Sequence, residues 1–113
     1  NYLIVNRVDL LSAVDRVSTI ANEKSPSIKF KLLKNLINLS TINNENSTAT
    51  EDIAVNYDGD EIEIGFNSRY IMDILDNLEG EEIRISFNDN KTPIIAEEKS
   101  NSDLIYVLMP MRV

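Results

Sequence analysis

The residues Ile62-Glu63-Ile64-Gly65-Phe66-Asn67-Ser68-Arg69-Tyr70-Ile71-Met72-Asp73-Ile74-Leu75-Asp76-Asn77-Leu78-Glu79-Gly80 change period halfway along. Ile62, Ile64 and Phe66 alternate with Glu61, Glu63 and Gly65, as a strand with one buried face requires. From Ile71 onward the apolar residues Ile71, Ile74, Leu75 and Leu78 recur at steps of three and four, which predicts a helix over 68–79. Asn67 stands at the joint as a cap, and Gly80 supplies the left-handed C-terminal stop. A strand that runs without a loop into a capped helix sets the plan for the rest of the chain.

Upstream, Ile53, Val55 and Tyr57 alternate in the same way. Asp58-Gly59 follows them, a strong signal for a two-residue type I′ turn, so the pattern predicts a hairpin between 53–57 and 61–66. Residues 43–50 are polar with no apolar period and read as a loop. Before them Ile28, Phe30 and Leu32 alternate with Lys29 and Lys31, and Ile37 and Leu39 alternate with Asn38 and Ser40; Lys34-Asn35 is the turn between. A first helix is predicted over 7–21, with Leu10, Ala13, Val14, Val17, Ile20 and Ala21 on its apolar face, Asn6 as N-cap and Asp9 in its first turn. Tyr2 to Val5 reads as a strand. Downstream, strands are predicted over 83–87, 93–97 and 104–109. The order is strand, helix, four strands, helix, three strands, so the two halves repeat one plan. It implies an α+β fold, with two helices packed on one side of antiparallel sheets of about eight strands.

The 113 residues form a single domain, 1–113, long enough to bury roughly two-thirds of the unfolded surface. With 42% apolar and 27% charged residues, the composition is that of a folded protein. There is no cysteine and no histidine, which excludes disulfides, thiolate nucleophiles, imidazole bases and the commoner zinc sites. Nineteen acids against eleven bases give a net charge of −8, the wrong sign for autonomous grip on phosphates. Apolar runs such as 105–109 are too short to span a bilayer, and the chain reads as intracellular and soluble. It opens on Asn1 rather than methionine and enters a strand at once, as a piece of a longer protein would.

Two stretches carry a family likeness. Gly65-Phe66-Asn67-Ser68-Arg69-Tyr70-Ile71-Met72-Asp73-Ile74-Leu75 and the terminal Tyr106-Val107-Leu108-Met109-Pro110-Met111-Arg112-Val113 closely resemble the third domain of bacterial DNA polymerase III beta subunits, the sliding clamps. Ala21-Asn22-Glu23-Lys24 matches as well, and the closing Met-Pro-Met-Arg is the most specific element. The resemblance implies a DNA-clamp fold, with the two amino-terminal domains absent here. It also implies a homodimeric ring of three domains per subunit, helices lining a hole around duplex DNA and sheets forming the rim, in the bacterial cytoplasm at the nucleoid. Such a clamp makes a replicative polymerase processive, catalyses nothing itself and needs no cofactor or metal.

Partners of the family, namely the replicative DNA polymerase, the clamp loader and repair polymerases, dock short linear peptides in an apolar pocket. Carried over by resemblance, its wall here is Asn67, Tyr70, Pro93, Val107, Met109, Pro110, Met111 and Arg112. The chemistry suits the role: methionines repack around differing apolar anchors, and Tyr70 offers a ring with a polar tip. The plainer alternative is that Val107, Met109 and Met111 are a strand's inward face, Tyr70 a core aromatic and Asn67 only a cap. Ser25 stands where some relatives carry a bulky apolar residue, and Lys91 takes a variable rim position. By the same resemblance, Thr19 and Ile20 with the acidic edge of Glu45, Glu51 and Asp52 would face a basic patch on the other subunit; the alternative is a solvated acidic loop. Arg7, Arg16 and Arg69 are weak candidates for transient DNA contacts, with Asp15, Asp73 and Asp76 offsetting their field.

Three readings compete from other classes, of which a nucleic-acid-binding domain is opposed by the charge and by the lack of a basic stripe interleaved with aromatics. A carboxylate enzyme would rest on Glu61 with Glu63, or on Glu79, Glu81 and Glu82, as an acid/base pair or magnesium site, with no nucleophile or phosphate loop to accompany them. An unrelated α+β interaction domain would make the terminal methionines mere packing.

Overall fold

The computed structural model describes residues 1–21, 27–42, 48–99 and 105–111. The elements run β1 (Tyr2–Asn6), α1 (Arg7–Ala21), β2 (Ser27–Leu33), β3 (Leu36–Ile42), β4 (Thr48–Ala54), β5 (Ile62–Asn67), α2 (Ser68–Asn77), β6 (Glu82–Ser86), β7 (Ile94–Glu98) and β8 (Ile105–Leu108). This is the predicted order. Both helix starts follow from their caps: Asn6 Oδ1 accepts from the Asp9 N–H at 2.9 Å, and Asn67 Oδ1 accepts from the N–H groups of Arg69 and Tyr70 at 3.0 and 3.3 Å.

The strands form two antiparallel four-stranded sheets, ordered β1-β6-β7-β8 and β4-β3-β2-β5. Each half of the chain therefore gives its first strand to the other half's sheet: β1 joins β6, and β5 joins β2. The exchange is closed by two matching bridges, Ile4 with Asn56 just after β4, and Gly65 with Met111 just after β8. These bridges cap the β1 and β5 edges. Outside β4 and β8 no further strand lies among the described residues.

The helices touch each other; α1 covers β4, β3, β2 and β1, and α2 packs on β5 and β8. Between helices and sheets lie the alternating residues predicted to be core, such as Phe30, Leu39, Ile64 and Phe66, all buried. Phe30 and Phe66 meet edge to face with centroids 4.9 Å apart.

The Asp58-Gly59 hairpin does not form. β4 pairs with β3 and β5 with β2, so the two strands predicted to be partners lie at opposite edges of one sheet. The chain between them crosses the tip of the β2–β3 hairpin, where Asn35 takes φ 58°. Asn35 N–H donates to Tyr57 O at 2.9 Å, Val55 N–H donates to Asn35 O at 3.2 Å, and Asn35 Oδ1 accepts from Tyr57 N–H at 3.2 Å. The Tyr57 ring is fully buried, 5.9 Å from the Phe87 ring, and its hydroxyl donates to Asp60 O. Burying that ring and pairing Ile62 to Phe66 with β2 outweighs one favourable two-residue turn. Gly59 is required by close approach, since a Cβ there would lie 2.5 Å from the Tyr57 hydroxyl.

Two boundaries also move by more than a residue. Thr48 to Thr50, predicted as loop, belong to β4, while 43–47 lie outside the described residues. α2 ends at Asn77, because Leu78 turns extended (φ −77°, ψ 147°) and drops into the core. Gly80 then takes the expected positive φ, at 92°. The last three strands each sit within one or two residues of their predicted spans.

Candidate functional site

Proline at 110 ends the β8 ladder, and the chain passes from one sheet to the other: Met111 N–H donates to Gly65 O at 2.7 Å. Gly65 lies on β5 just before the Asn67 cap, so this bond brings the chain end to the start of α2, where Tyr70 sits. Pro93 directly precedes Ile94, which is in register with Leu108, and so lies level with Met109. Seven of the eight predicted pocket residues are thereby gathered around one corner of the domain. Arg112 lies outside the described residues.

Their burial answers the question left by the sequence. Val107 is 63% exposed, Met109 59% and Tyr70 60%, while the intervening Leu108 is 8% exposed and Ile71 is buried. The reading of Val107 and Met109 as an inward strand face, and of Tyr70 as a core aromatic, is overturned. β8 turns its Leu108 face to the core and its Ile105, Val107 face outward. Met111 and Pro110 are half-buried. Asn67 spends its side-chain oxygen on the helix cap, so what it retains for a ligand is the amide donor.

The sequence reading missed how far this apolar surface extends. Tyr2, Ser86, Ile95 and Val107 form one register row across the outer face of their sheet, and Tyr2, Ile95 and the neighbouring Ile105 are exposed. Arg84 lies over the Tyr2 ring at 5.2 Å. The outer face of the other sheet is polar by contrast: Lys29 pairs with Glu63 at 3.1 Å, Lys31 with Glu61 at 3.2 Å, and Asn38 Nδ2 donates to Asp52 at 2.6 Å. Glu61 and Glu63 thus belong to a solvated ladder of ion pairs. Among the described residues no group of three or more potential metal ligands converges.

The predicted ring-interface residues divide. Glu51 and Asp52 do not form one edge cluster, because successive strand residues face opposite ways. Asp52 faces outward beside Asn38, whereas Glu51 completes the inner row Ile64, Phe30, Leu39, Glu51. Its carboxylate accepts from Arg16 on α1, with Nε 2.9 Å from both oxygens and Nη2 also bonded to Oε1. That contact holds the Glu51 carboxyl below its usual range and the Arg16 guanidinium above. Thr19 is exposed and donates its hydroxyl to Asp15 O at 2.8 Å. Ile20 belongs to α1, and Glu45 lies outside the described residues, as does Ser25.

Among the three arginines offered as DNA-facing, Arg7 is corrected. Its guanidinium donates to Gly80 O at 2.9 Å and Leu75 O at 3.1 Å, capping the end of α2 rather than reaching for phosphate. Arg16 is engaged with Glu51, and Arg69 is exposed on the first turn of α2. The remaining acidic candidates line the α2–β6 connection, where the buried Glu98 carboxylate accepts from Glu79 N–H and Lys99 meets Glu82 at 3.3 Å. No helix among the described residues is long and apolar enough to cross a membrane.

Comparison with known proteins agrees with this architecture. Residues 1–112 match the family described as DNA polymerase III beta subunit, C-terminal domain. The beta sliding clamp of Caulobacter vibrioides is 41% identical over 101 residues, covering 89% of this chain and 27% of that protein. The Escherichia coli beta sliding clamp is 34% identical over 106 residues, covering 93% and 29%. Among solved structures, Caulobacter crescentus pol III beta superposes with a TM-score of 0.95 at 38% identity, covering 99% of this chain and 30% of that one. The Bartonella birtlesii sliding clamp, solved bound to griselimycin, gives 0.94 at 39%, with the same coverage. The chain spans under a third of the length of these relatives. It belongs to the DNA polymerase III beta subunit family, the bacterial sliding clamps, and corresponds to their C-terminal domain.

Proposed function

We propose that this chain is the third domain of a three-domain subunit whose homodimer closes around duplex DNA, and that it docks short peptides of the replicative polymerase, clamp loader and repair polymerases. The docking surface is the corner formed by Tyr70, Val107, Met109 and Met111, bordered by Asn67, Pro93 and Pro110; the family resemblance adds Arg112, which lies outside the described residues. The observation that supports this most is the exposure of Tyr70, Val107 and Met109 beside a fully formed core. Large apolar side chains held in solvent next to polar rims mark sites that another molecule covers. Methionine suits a site with several clients because its unbranched, polarizable chain adapts to each. The role is mechanical rather than catalytic.

Ring closure is supported by the sheet edges. Two of the four are capped within the domain by the Ile4–Asn56 and Gly65–Met111 bridges, and among the described residues no strand pairs with the outer side of β4 or β8. Uncovered edges invite strand addition, and a ring of domains covers them by pairing each with its neighbour. DNA is then held by enclosure, which fits a helix layer whose arginines Arg7 and Arg16 are already bonded within the domain.

The test is titration of a labelled clamp-binding peptide against the intact subunit, comparing wild type with Met111→Ala and Tyr70→Ala. Saturable binding that weakens at least several-fold in both variants is expected. Equal affinity in all three would sink the docking assignment. An unrelated α+β interaction domain is set aside by family membership.

A further inference from the structure

The Arg16–Glu51 pair occupies an unusual place. Glu51 is on β4, an edge strand among the described residues, yet it points to the helix-covered face, fourth in a row whose other members, Ile64, Phe30 and Leu39, are all core. A strand added to β4 must place one residue directly opposite Glu51, with its Cβ about 5 Å away on this same face. That residue meets a carboxylate already held by both Nε and Nη2 of Arg16, across 35 positions of sequence. The Glu51 side chain is 25% exposed, and that of Arg16 58%. An inward-pointing charge is also a recognised guard against indiscriminate edge pairing.

Resting on the reading of β4 as a ring-closing edge, we infer that Arg16 is an internal competitor for Glu51: it guards the β4 edge in the open subunit and must release or share that carboxylate when a cation of the incoming strand arrives. The latch makes closure looser and more selective than an unclaimed glutamate would. An incoming acid is rejected by Glu51, an incoming apolar residue leaves the pair intact, and an incoming lysine or arginine binds only by displacing Arg16 or sharing the carboxylate with it. Arg16 is thus a positioning residue that sets how readily the ring opens.

The test uses the intact subunit and follows its dissociation after dilution, at low and high salt. Arg16→Ala is expected to slow dissociation about two- to fivefold at low salt, the range of a partly exposed ion pair. The gain is expected to fade at high salt and to vanish in Arg16→Ala/Glu51→Gln, while Arg16→Lys, which cannot bond in two places, gives an intermediate rate. A rate for Arg16→Ala equal to or faster than wild type overturns the latch. Amide exchange in β4, compared between assembled rings and subunits diluted to monomers, separates the two failures. Protection of β4 on assembly with an unchanged Arg16→Ala rate sinks the latch alone; no protection sinks the ring-edge reading, and the latch with it.

Discussion

Two neighbouring residues on β8 should respond to truncation in opposite ways. Leu108 is 8% exposed and lines a small apolar cavity with Phe66, Ile71, Leu75 and Ile94; Val107, one residue earlier, is 63% exposed. Leu108→Ala therefore removes buried carbon and enlarges a void, costing about 2–5 kcal/mol. For a chain of this length that lowers the melting temperature by roughly 8–20 °C. Val107→Ala removes about two methylene equivalents, ~1.6 kcal/mol if fully buried. With 63% of the side chain still in water, about a third of that, ~0.5 kcal/mol, is lost from stability, a shift of roughly 2 °C. The remainder, about 1 kcal/mol, becomes available only when a docked peptide covers the residue, so affinity should fall about fivefold. Calorimetry on the 113-residue chain and peptide titration on the intact subunit read the two effects. A melting shift for Val107→Ala as large as that for Leu108→Ala would mean that the β8 face is misassigned. Unchanged peptide affinity would remove Val107 from the docking surface.

Arg7→Ala leaves the Leu75 and Gly80 carbonyls without their charged donor, and denaturant titration should show a loss of about 1–2 kcal/mol, with Arg7→Lys recovering only part of it. Gly59→Ala sets a Cβ within 2.5–2.8 Å of the Tyr57 ring and should cost about 1–3 kcal/mol, whereas Asp58→Ala, exposed and one residue away, should change little. Asp89 accepts from the N–H groups of Lys91 and Thr92, and the Lys91 bond does most to hold its carboxyl below the usual range. Because the folded pKa is the lower one, this contribution is present above the unfolded value near 4 and is lost as pH falls through the folded value. An acid titration of stability should accordingly be shallower for Asp89→Asn below about pH 4.

Both helices were legible because their signals are local: Asn6 and Asn67 cap within three residues of where they stand. The Asp58-Gly59 turn failed for the same reason in reverse. Its signal is local, but strand partners are chosen by distant residues, and β2 and β3 held the better claims on Ile62 to Phe66 and on Ile53. The alternation itself was right, since Tyr57 is buried in phase with it. At β8 the phase was ambiguous, because Ile105, Val107 and Met109 are as apolar as Tyr106 and Leu108; the proposed docking corner was visible only through the family likeness. Period two alone could have separated Glu51 from Asp52. Arg16's grip on Glu51, and Arg7's on α2, join residues far apart in sequence and leave no local mark.

The crossed assignment of β1 and β5 governs how the chain reaches its native state. Neither 1–58 nor 59–113 contains a complete four-stranded sheet, so neither half is an autonomous folding unit, and the rate-limiting step has to bring distant segments together. Folding of this domain should be slow for its size and all-or-none. Two fragments cut near Asp58 should be unstructured apart and regain structure on mixing, and two intact chains held at high concentration during refolding could trade halves, each completing the other's sheets.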